Sequence, residues 1–177
     1  DFRDYETELD CLILKEIQEF GACVYEGGAC KFVTELECAD SFGQFSVNKL
    51  CSNPSLNSTC EKQKTVSCVE GKDEIYWFDS CGNKENIYSS DKNTSLNNGE
   101  VLLKGNSCSP ASGNINSKDC GNCNYFLGSK CSEAKVGDSK IKDGNFLCRD
   151  LTCAASEETG NKLRQNGESW CVYDSFI

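Results

Sequence analysis

The sequence predicts a disulfide-rich, mainly β fold of short antiparallel ribbons, with one amphipathic α-helix at the N-terminus. Three observations support this fold class. The 177 residues include 15 cysteines, apolar residues make up only 38% of the chain, and short β-favouring segments separated by turn residues follow one another from about residue 61. Because so small an apolar fraction builds a modest core, we expect covalent cross-links to supply part of the stability.

All the cysteines are disulfide candidates, and none is assigned as a metal ligand. Zinc ribbons and fingers use repeated C-x-x-C pairs, whereas here only Cys120 and Cys123 have that spacing. The spacing therefore favours disulfides over a thiolate cluster. The candidates are Cys11, Cys23, Cys30, Cys38, Cys51, Cys60, Cys68, Cys81, Cys108, Cys120, Cys123, Cys131, Cys148, Cys153 and Cys171.

The cysteine count also predicts one unpaired thiol, since 15 is an odd number. That thiol is free, bonded to another subunit, or paired with a cysteine beyond Ile177. The sequence does not show which cysteine it is.

The cysteine content predicts an extracellular or cell-surface location, because disulfides persist in oxidising compartments. No stretch of about 18 apolar residues is present, so we expect no direct membrane insertion of this segment. The first residues lack the layout of a signal peptide. We therefore expect an exported chain whose signal has been removed and whose anchor, if it has one, lies elsewhere.

The net charge of −10 argues against nucleic-acid partners, which require clustered Lys and Arg. Acidity of this kind is typical of solubility. The alternative is calcium binding by the oxygen-rich segment Asp91–Asn97. That segment departs from the EF-hand pattern, with Leu96 in place of the turn glycine and Leu102 in place of the bidentate glutamate. We assign no metal site and no cofactor.

The absence of histidine excludes nucleophiles activated by imidazole and mixed Cys/His zinc sites. Two catalytic alternatives remain. Paired carboxylates such as Asp73-Glu74 and Glu157-Glu158 could serve a hydrolase, and Cys120-Gly121-Asn122-Cys123 could serve redox chemistry. Neither has the surrounding pattern that its chemistry needs, so no catalytic residue is assigned and we expect a protein that is not an enzyme.

The N-terminal region, residues 1–60, begins with the predicted helix. Its apolar face consists of Phe2, Tyr5, Leu9, Leu12, Ile13, Ile17 and Phe20. Gly21 is expected to end the helix with a positive φ. The apolar face packs on the rest of the chain or meets another subunit. From Gly21 to Cys60 we expect loop-like structure, with short elements near residues 33–38 and 45–50.

The second region, residues 61–177, is expected to be a disulfide-stapled set of β ribbons. Residues 65–69 and 74–78 flank Gly71-Lys72-Asp73, which is typical of a hairpin, and residues 85–88 add a third strand. Further strands are predicted at 100–103, 145–148 and 169–173.

Two sequons, at Asn57 and Asn93, predict N-glycosylation in polar stretches. Such triplets also arise by chance in a chain rich in Asn and Ser, and both interpretations stay open.

A series of motifs over residues 68–177 resembles a known group of proteins. The motifs are Glu74-Ile75-Tyr76-Trp77-Phe78-Asp79-Ser80-Cys81-Gly82-Asn83, Cys120-Gly121-Asn122-Cys123-Asn124-Tyr125, Cys148-Arg149-Asp150-Leu151-Thr152-Cys153 and Asn166-Gly167-Glu168-Ser169-Trp170-Cys171-Val172-Tyr173-Asp174. They are similar to those of cysteine-rich secreted surface proteins of small-genome archaea of the nanoarchaeal and woesearchaeal kind. The resemblance implies export to the surface and no particular activity. Those proteins usually continue beyond the Trp-Cys segment, so we expect a fragment, a processed product or the ordered part of a larger protein.

Together these features predict a non-enzymatic extracellular structural or interaction protein, a disulfide-stabilised subunit of a cell-surface or filamentous assembly. Its expected partners are copies of itself or other surface proteins. Aromatic residues that could supply contact area are Tyr76, Trp77, Tyr125, Trp170 and Tyr173. The alternative is a monomeric secreted binding module, either carbohydrate-binding or inhibitor-like.

Overall fold

Small antiparallel β-sheets form the framework of the protein, for which a computed structural model describes residues 19–170. The first sheet has the order β2-β1-β3, with β1 at Phe20–Val24, β2 at Cys30–Thr34 and β3 at Gln44–Val47. The second has the order β4-β5-β6, with β4 at Thr65–Cys68, β5 at Ile75–Phe78 and β6 at Lys84–Ile87. A third pairs β7, Ser129–Glu133, with β8, Phe146–Asp150. The predicted disulfide-rich β fold is confirmed.

Helices in the described range are short. They are α1, Glu35–Asp40, and α2, Lys92–Leu96, with single 3₁₀ turns at Asn97–Gly99, Lys104–Asn106 and Tyr125–Leu127. Helix α1 begins with a capping box, in which the Thr34 hydroxyl accepts from the Glu37 N–H and the Glu37 carboxylate accepts from the Thr34 N–H. No helix in residues 19–170 combines the length and apolar character needed to cross a membrane.

Within residues 19–170, six disulfides cross-link these elements. The bonded pairs are Cys23–Cys38, Cys30–Cys51, Cys60–Cys81, Cys68–Cys131, Cys108–Cys120 and Cys123–Cys148. Most of these sulfurs are buried, so the cross-links take the place of apolar side chains in the interior. This cysteine usage indicates an oxidising environment.

The first sheet corrects the expectation of a loop between Gly21 and Cys60. Its central strand pairs on both sides, with Cys23 opposite Lys31 in β2 and Phe45 in β3. Gly21 does not end a helix, because it lies inside β1 without a positive φ. The glycine is needed for a close approach, since a Cβ there would lie 2.2 Å from the Ser46 carbonyl oxygen.

The second sheet confirms the predicted hairpin and its third strand. Val66 pairs with Trp77, and Tyr76 pairs with Ile87. The core between this sheet and the β7-β8 pair contains Val66, Ile75, Trp77, Tyr88, Ile141 and the sulfurs of Cys123, Cys131 and Cys148. A separate, smaller core in the first region is made of Ala22, Cys30, Cys51 and Cys60.

One other strand prediction is not met, and a second, at residues 169–173, lies mostly outside the described residues. Residues 100–103 form no strand, and only Glu100 makes an isolated β-bridge, to Lys49. Asn86 explains this, because its side chain binds the backbone of that segment, accepting from the Leu102 N–H at 2.7 Å and donating to the Glu100 carbonyl at 2.9 Å. Ser169 and Trp170 are outside any strand, while residues 171–173 and most of the predicted N-terminal helix lie outside the described residues.

The segments on either side of residue 60 are joined by backbone hydrogen bonds. The Leu50 N–H donates to the Gly99 carbonyl at 2.8 Å, and the Val101 N–H donates to the Asn48 carbonyl at 2.9 Å. The Cys60–Cys81 disulfide adds a covalent link at the boundary. The first sheet is therefore fixed against the loop that follows α2.

Candidate interaction surface

The aromatic residues expected to supply contact area divide into buried and exposed ones. Trp77 and Tyr76 are buried, and the Trp77 ring packs on Tyr88 with 5.2 Å between the ring centroids. Trp170 is half-buried and its indole N–H donates to the Glu158 carbonyl. Tyr173 lies outside the described residues. Of these five, only Tyr125 is in the described part of the chain and exposed.

Tyr125 begins a 3₁₀ turn that is fixed by hydrogen bonds to its backbone and by a left-handed glycine at its end. The Asn124 side chain accepts from the Phe126 N–H at 3.0 Å, and Gly128 ends the turn in the left-handed region with φ of 86°. The Tyr125 N–H donates to the Asp73 carboxylate at 3.0 Å. The disulfide-bonded Cys123 and Cys131 flank the turn on its two sides. Its side chains are thus presented from a fixed base.

An apolar patch results, made of Ile115, Tyr125, Phe126 and Leu127. Phe126 is 90% exposed, and each of the other three is more than 40% exposed. Beside the patch is a cavity of about 370 Å³, lined by Ile115, Phe126, Leu127, Gly128, Thr152, Gln165 and Asn166. Contiguous exposed apolar groups next to a concave surface are typical of a protein contact site.

Cys153 lies next to the lining of the same cavity. Its backbone pairs with Arg164 in both directions, at 2.9 Å and 3.1 Å. The neighbours of these two residues, Thr152 and Gln165, line the cavity next to Phe126. Cys153 is exposed and forms no disulfide with any residue in the range 19–170. The cavity beside the apolar patch is therefore bordered by the two chain segments that hold Cys153 in place.

The patch was not predicted from the sequence, because the exposure of a side chain depends on the finished fold. The available signal was local, namely three consecutive apolar residues between Asn124, which favours a helix N-cap, and Gly128, which favours a helix end. Phe126 and Leu127 were not among the predicted contact residues.

The C-x-x-C pair does not form a redox disulfide. Cys120 bonds to Cys108, and Cys123 bonds to Cys148, so the two sulfurs have different partners. The redox interpretation of this pair is therefore wrong for the oxidised chain. Each cysteine instead ties the 120–123 segment to a different part of the fold.

The paired carboxylates of Asp73 and Glu74 have separate structural partners. Glu74, with its side chain only 6% exposed, accepts from the Tyr76 hydroxyl at 2.9 Å and forms an ion pair with Lys104. Burial acts to raise the pKa of Glu74, but the hydrogen bonds from Lys104 and Tyr76 outweigh it and hold the pKa below its ordinary value. Asp73 holds the Tyr125 backbone. Each of the two carboxylates is therefore engaged in a structural hydrogen bond.

A second buried carboxylate, Glu85, also serves as a structural anchor. It accepts from the Ser52 hydroxyl and from the Gln63 N–H, which joins the two sequence regions. Burial raises the pKa of Glu85.

Next to Glu85, the Lys84 ammonium lies 4.8 Å from the centroid of the Tyr76 ring, and burial lowers the pKa of that lysine. Both groups line a small cavity of about 120 Å³ with Leu50 and Val101.

The oxygen-rich segment at Asp91 caps a helix. Its carboxylate accepts from the Asn93 and Thr94 N–H groups and from the Thr94 hydroxyl, at 3.1, 3.3 and 2.7 Å. These bonds lower the pKa of Asp91. Within residues 19–170 one cluster has the spacing of metal ligands, made of Cys60, Asp79 and Cys81, but its two sulfurs are bonded to each other.

Both sequon asparagines are on the surface. Asn57 is exposed in the irregular segment before Cys60, and Asn93 lies in the first turn of α2. Whether either carries a glycan stays a prediction.

Comparison with known proteins found no significant match for this chain among protein-family models, curated proteins or solved structures. The resemblance to archaeal surface proteins therefore stays a prediction from the sequence motifs.

Proposed function

We propose that this chain is a non-enzymatic, disulfide-stabilised subunit of an extracellular or cell-surface assembly, and that the apolar patch is its contact with a second copy of the same chain. The observation that carries the proposal is the position of the patch beside Cys153. An apolar surface whose neighbouring cavity is lined by residues next to an exposed cysteine suits a contact that packs first and is then locked by a disulfide between two copies.

The choice of a second copy rests on the thiol. The chain has 15 cysteines, so at least one in every copy lacks a partner within its own chain. Exposed Cys153 is suited to pair with the same residue of a second copy, because a two-fold contact brings identical patches together. The nearly fully exposed Phe126 beside a concave cavity supplies an aromatic anchor of the kind that dominates such contacts.

Sedimentation velocity of the unreduced protein from micromolar to millimolar concentration tests the proposal. We expect reversible association that Phe126→Asp weakens by about 30-fold or more, the loss that corresponds to one aromatic hot spot. Val136→Asp is the matched control, because Val136 is also fully exposed but lies away from the patch in the turn after β7. That variant should associate like the parent.

Mass analysis without reduction tests the role of the thiol. We expect a covalent dimer in the parent chain that is absent in Cys153→Ser, while the reversible association persists. A parent that stays monomeric at every concentration would overturn the proposal and favour the alternative, a monomeric secreted binding module. A covalent dimer that survives in Cys153→Ser would assign the locking bond to another cysteine.

A further inference from the structure

A cleft on the first sheet lies between two turns. One is the β1–β2 turn, residues 25–29, and the other is the α1–β3 connection, residues 41–43. The cleft has a volume of about 330 Å³ and is lined by Tyr25, Glu26, Gly27, Phe42, Gln44 and Asn57, among others. It is separate from the apolar patch, whose cavity shares none of these residues.

The cleft is held in shape by covalent and hydrogen bonds. The β1–β2 turn is closed by the Tyr25 N–H, which donates to the Ala29 carbonyl at 2.8 Å, and by the Gly28 N–H, which donates to the Tyr25 carbonyl at 3.0 Å. The Gly28 carbonyl in turn accepts from the Thr59 N–H at 2.9 Å, which fixes the segment that carries Asn57. Disulfide Cys23–Cys38 joins β1 to α1. A ligand would therefore meet a preformed site.

Phe42 occupies an unfavourable backbone conformation in this cleft. It follows α1 with φ of 57°, in the left-handed region that favours glycine or asparagine, and its side chain is 96% exposed. The glycine of this connection is at the next position, Gly43, where it is needed for a different reason. A Cβ at residue 43 would lie 2.2 Å from the Cys23 sulfur. Phe42 gains no stability from burial and has a strained backbone. Residues with strained backbones cluster at ligand-binding and active sites.

The polar side chains of the cleft make no hydrogen bonds to the described part of the chain. Glu26, Gln44 and Asn57 are exposed, and none of them makes a side-chain hydrogen bond to another residue in the range 19–170. The same holds for the Tyr25 hydroxyl. Carboxylate acceptors, amide donors and a phenol therefore stand next to an exposed aromatic ring, all on one concave surface.

We propose that this cleft binds a neutral sugar ring. A pyranose has a C–H face that packs on an aromatic ring and hydroxyls around its edge that pair with carboxylate and amide groups. Phe42 and Tyr25 supply the first kind of contact, and Glu26, Gln44 and Asn57 supply the second. The carboxylate of Glu26 and the net charge of −10 disfavour anionic sugars. The cleft volume falls at the lower end for small-ligand sites, which suits one or two rings.

The sugar has two sources. Asn57 is the acceptor of the sequon Asn57-Ser58-Thr59, so the ring could belong to a glycan on this same residue, or it could come from a separate glycan. In either case a sugar ring packs against Phe42. The inference does not depend on the proposed function, because it concerns a different surface.

Binding is tested by amide-resolved NMR titration of the unreduced protein with oligomers of glucose, mannose and N-acetylglucosamine, after the intact mass has shown whether Asn57 is modified. An unmodified chain should bind at least one of these sugars with shifts confined to residues 24–28, 41–44 and 57. A chain that carries a glycan at Asn57 should bind free sugar only as the Asn57→Gln variant. Asn93→Gln is the control and should leave binding unchanged.

Phe42→Gly gives the sharpest test, because it should lower the affinity for sugar and raise the thermal stability of the protein. The variant should bind the sugar about tenfold more weakly, as expected for the loss of one stacking contact. It should also melt about 2 to 4 °C higher, because glycine relieves the left-handed strain. Phe126→Ala, an exposed aromatic elsewhere, should bind normally. The proposal would be overturned if neither the unmodified chain nor Asn57→Gln showed a sugar-dependent shift, or if Phe42→Gly bound with unchanged affinity.

Discussion

Asn83 hydrogen-bonds to the backbone of β2 at Phe32 as a paired strand would. Its side-chain oxygen accepts from the Phe32 N–H at 3.0 Å, and its nitrogen donates to the Cys30 carbonyl at 3.1 Å. The same nitrogen donates to the Asp79 carboxylate at 2.9 Å. One side chain in the β5–β6 turn thus satisfies the free edge of the first sheet and fixes it to the second.

Asn83→Ala should separate the stabilities of the two sheets. It leaves the Phe32 N–H and the Cys30 carbonyl without partners, and a cost of about 2 kcal/mol in the free energy of unfolding is expected for such partly buried groups. Hydrogen exchange should show faster opening of the first sheet than of the second. Equal loss of protection in both sheets would contradict the role of Asn83 as the link.

Asn83→Asp is the informative companion variant. It keeps the oxygen that accepts from Phe32 but places a second carboxylate beside Asp79, which is repulsive while both are ionised. The variant should therefore be less stable than the parent at neutral pH and should recover part of the difference as the pH falls and one carboxyl takes up a proton. Urea denaturation across that pH range measures the recovery.

Acid should weaken the parent fold partly through Glu74. The pKa of Glu74 is lowered in the folded protein from its ordinary 4.5, so the folded state favours the charged form. This stabilisation is complete above 4.5 and is lost as the pH falls through the folded value. Glu74→Gln should cost about 1 to 2 kcal/mol at neutral pH, because charged hydrogen bonds to Lys104 and Tyr76 are weakened.

The pH dependence distinguishes the loss of the Glu74 charge from simple damage to the core. The stability gap between parent and Glu74→Gln, measured by urea denaturation, should shrink as the solution is acidified. A gap that stays constant with pH would mean that the carboxylate charge contributes nothing.

Part of this architecture was accessible from the sequence for physical reasons. The hairpin of β4 and β5 was predicted because alternating β-favouring residues flank Gly71, and that pattern depends only on local geometry. The strand predicted at residues 100–103 failed because Asn86, some fifteen positions earlier, takes the backbone hydrogen bonds that a neighbouring strand would have made. A competition of that kind depends on long-range contacts.

The first sheet and the candidate sites were missed for a related reason. Gly21 was expected to end a helix, yet it is required by the close approach of the Ser46 backbone, and Gly43 is required in the same way by the Cys23 sulfur. The exposure of Phe42 and Phe126 follows from how turns are oriented on the finished fold, which residue types alone do not specify. Oxidation of the cysteines, in contrast, was predictable from their number and spacing.

The disulfides should differ in what they contribute. Cys68–Cys131 closes a loop of 63 residues and ties β4 to β7, whereas Cys108–Cys120 closes one of 12. The chain-entropy relation gives stabilisations of about 4 and about 3 kcal/mol for loops of these lengths. Replacing both cysteines of each pair by alanine and comparing urea midpoints and slopes tests the order. Equal losses would show that the constraint on the unfolded chain is not the deciding effect.

Gly21→Ala should be among the most damaging single-methyl changes in the chain. The added Cβ would lie 2.2 Å from the Ser46 carbonyl oxygen and 2.9 Å from the Val47 Cα, and both are backbone atoms of the paired strand β3. Since no side chain can rotate away, β1 and β3 must separate, and a loss of about 3 kcal/mol is expected, the upper part of the range for overpacking.

Gly105→Ala is the matched control for that substitution. A Cβ at residue 105 would meet no atom within 4 Å, and the residue has no positive φ. Its stability should change by less than about 0.5 kcal/mol, as for other open surface positions. Because both variants add the same methyl group and remove the same glycine flexibility from the unfolded chain, the difference between their unfolding free energies isolates the contact of β1 with β3. Equal stabilities would mean that the two strands are not packed as closely as the sheet requires.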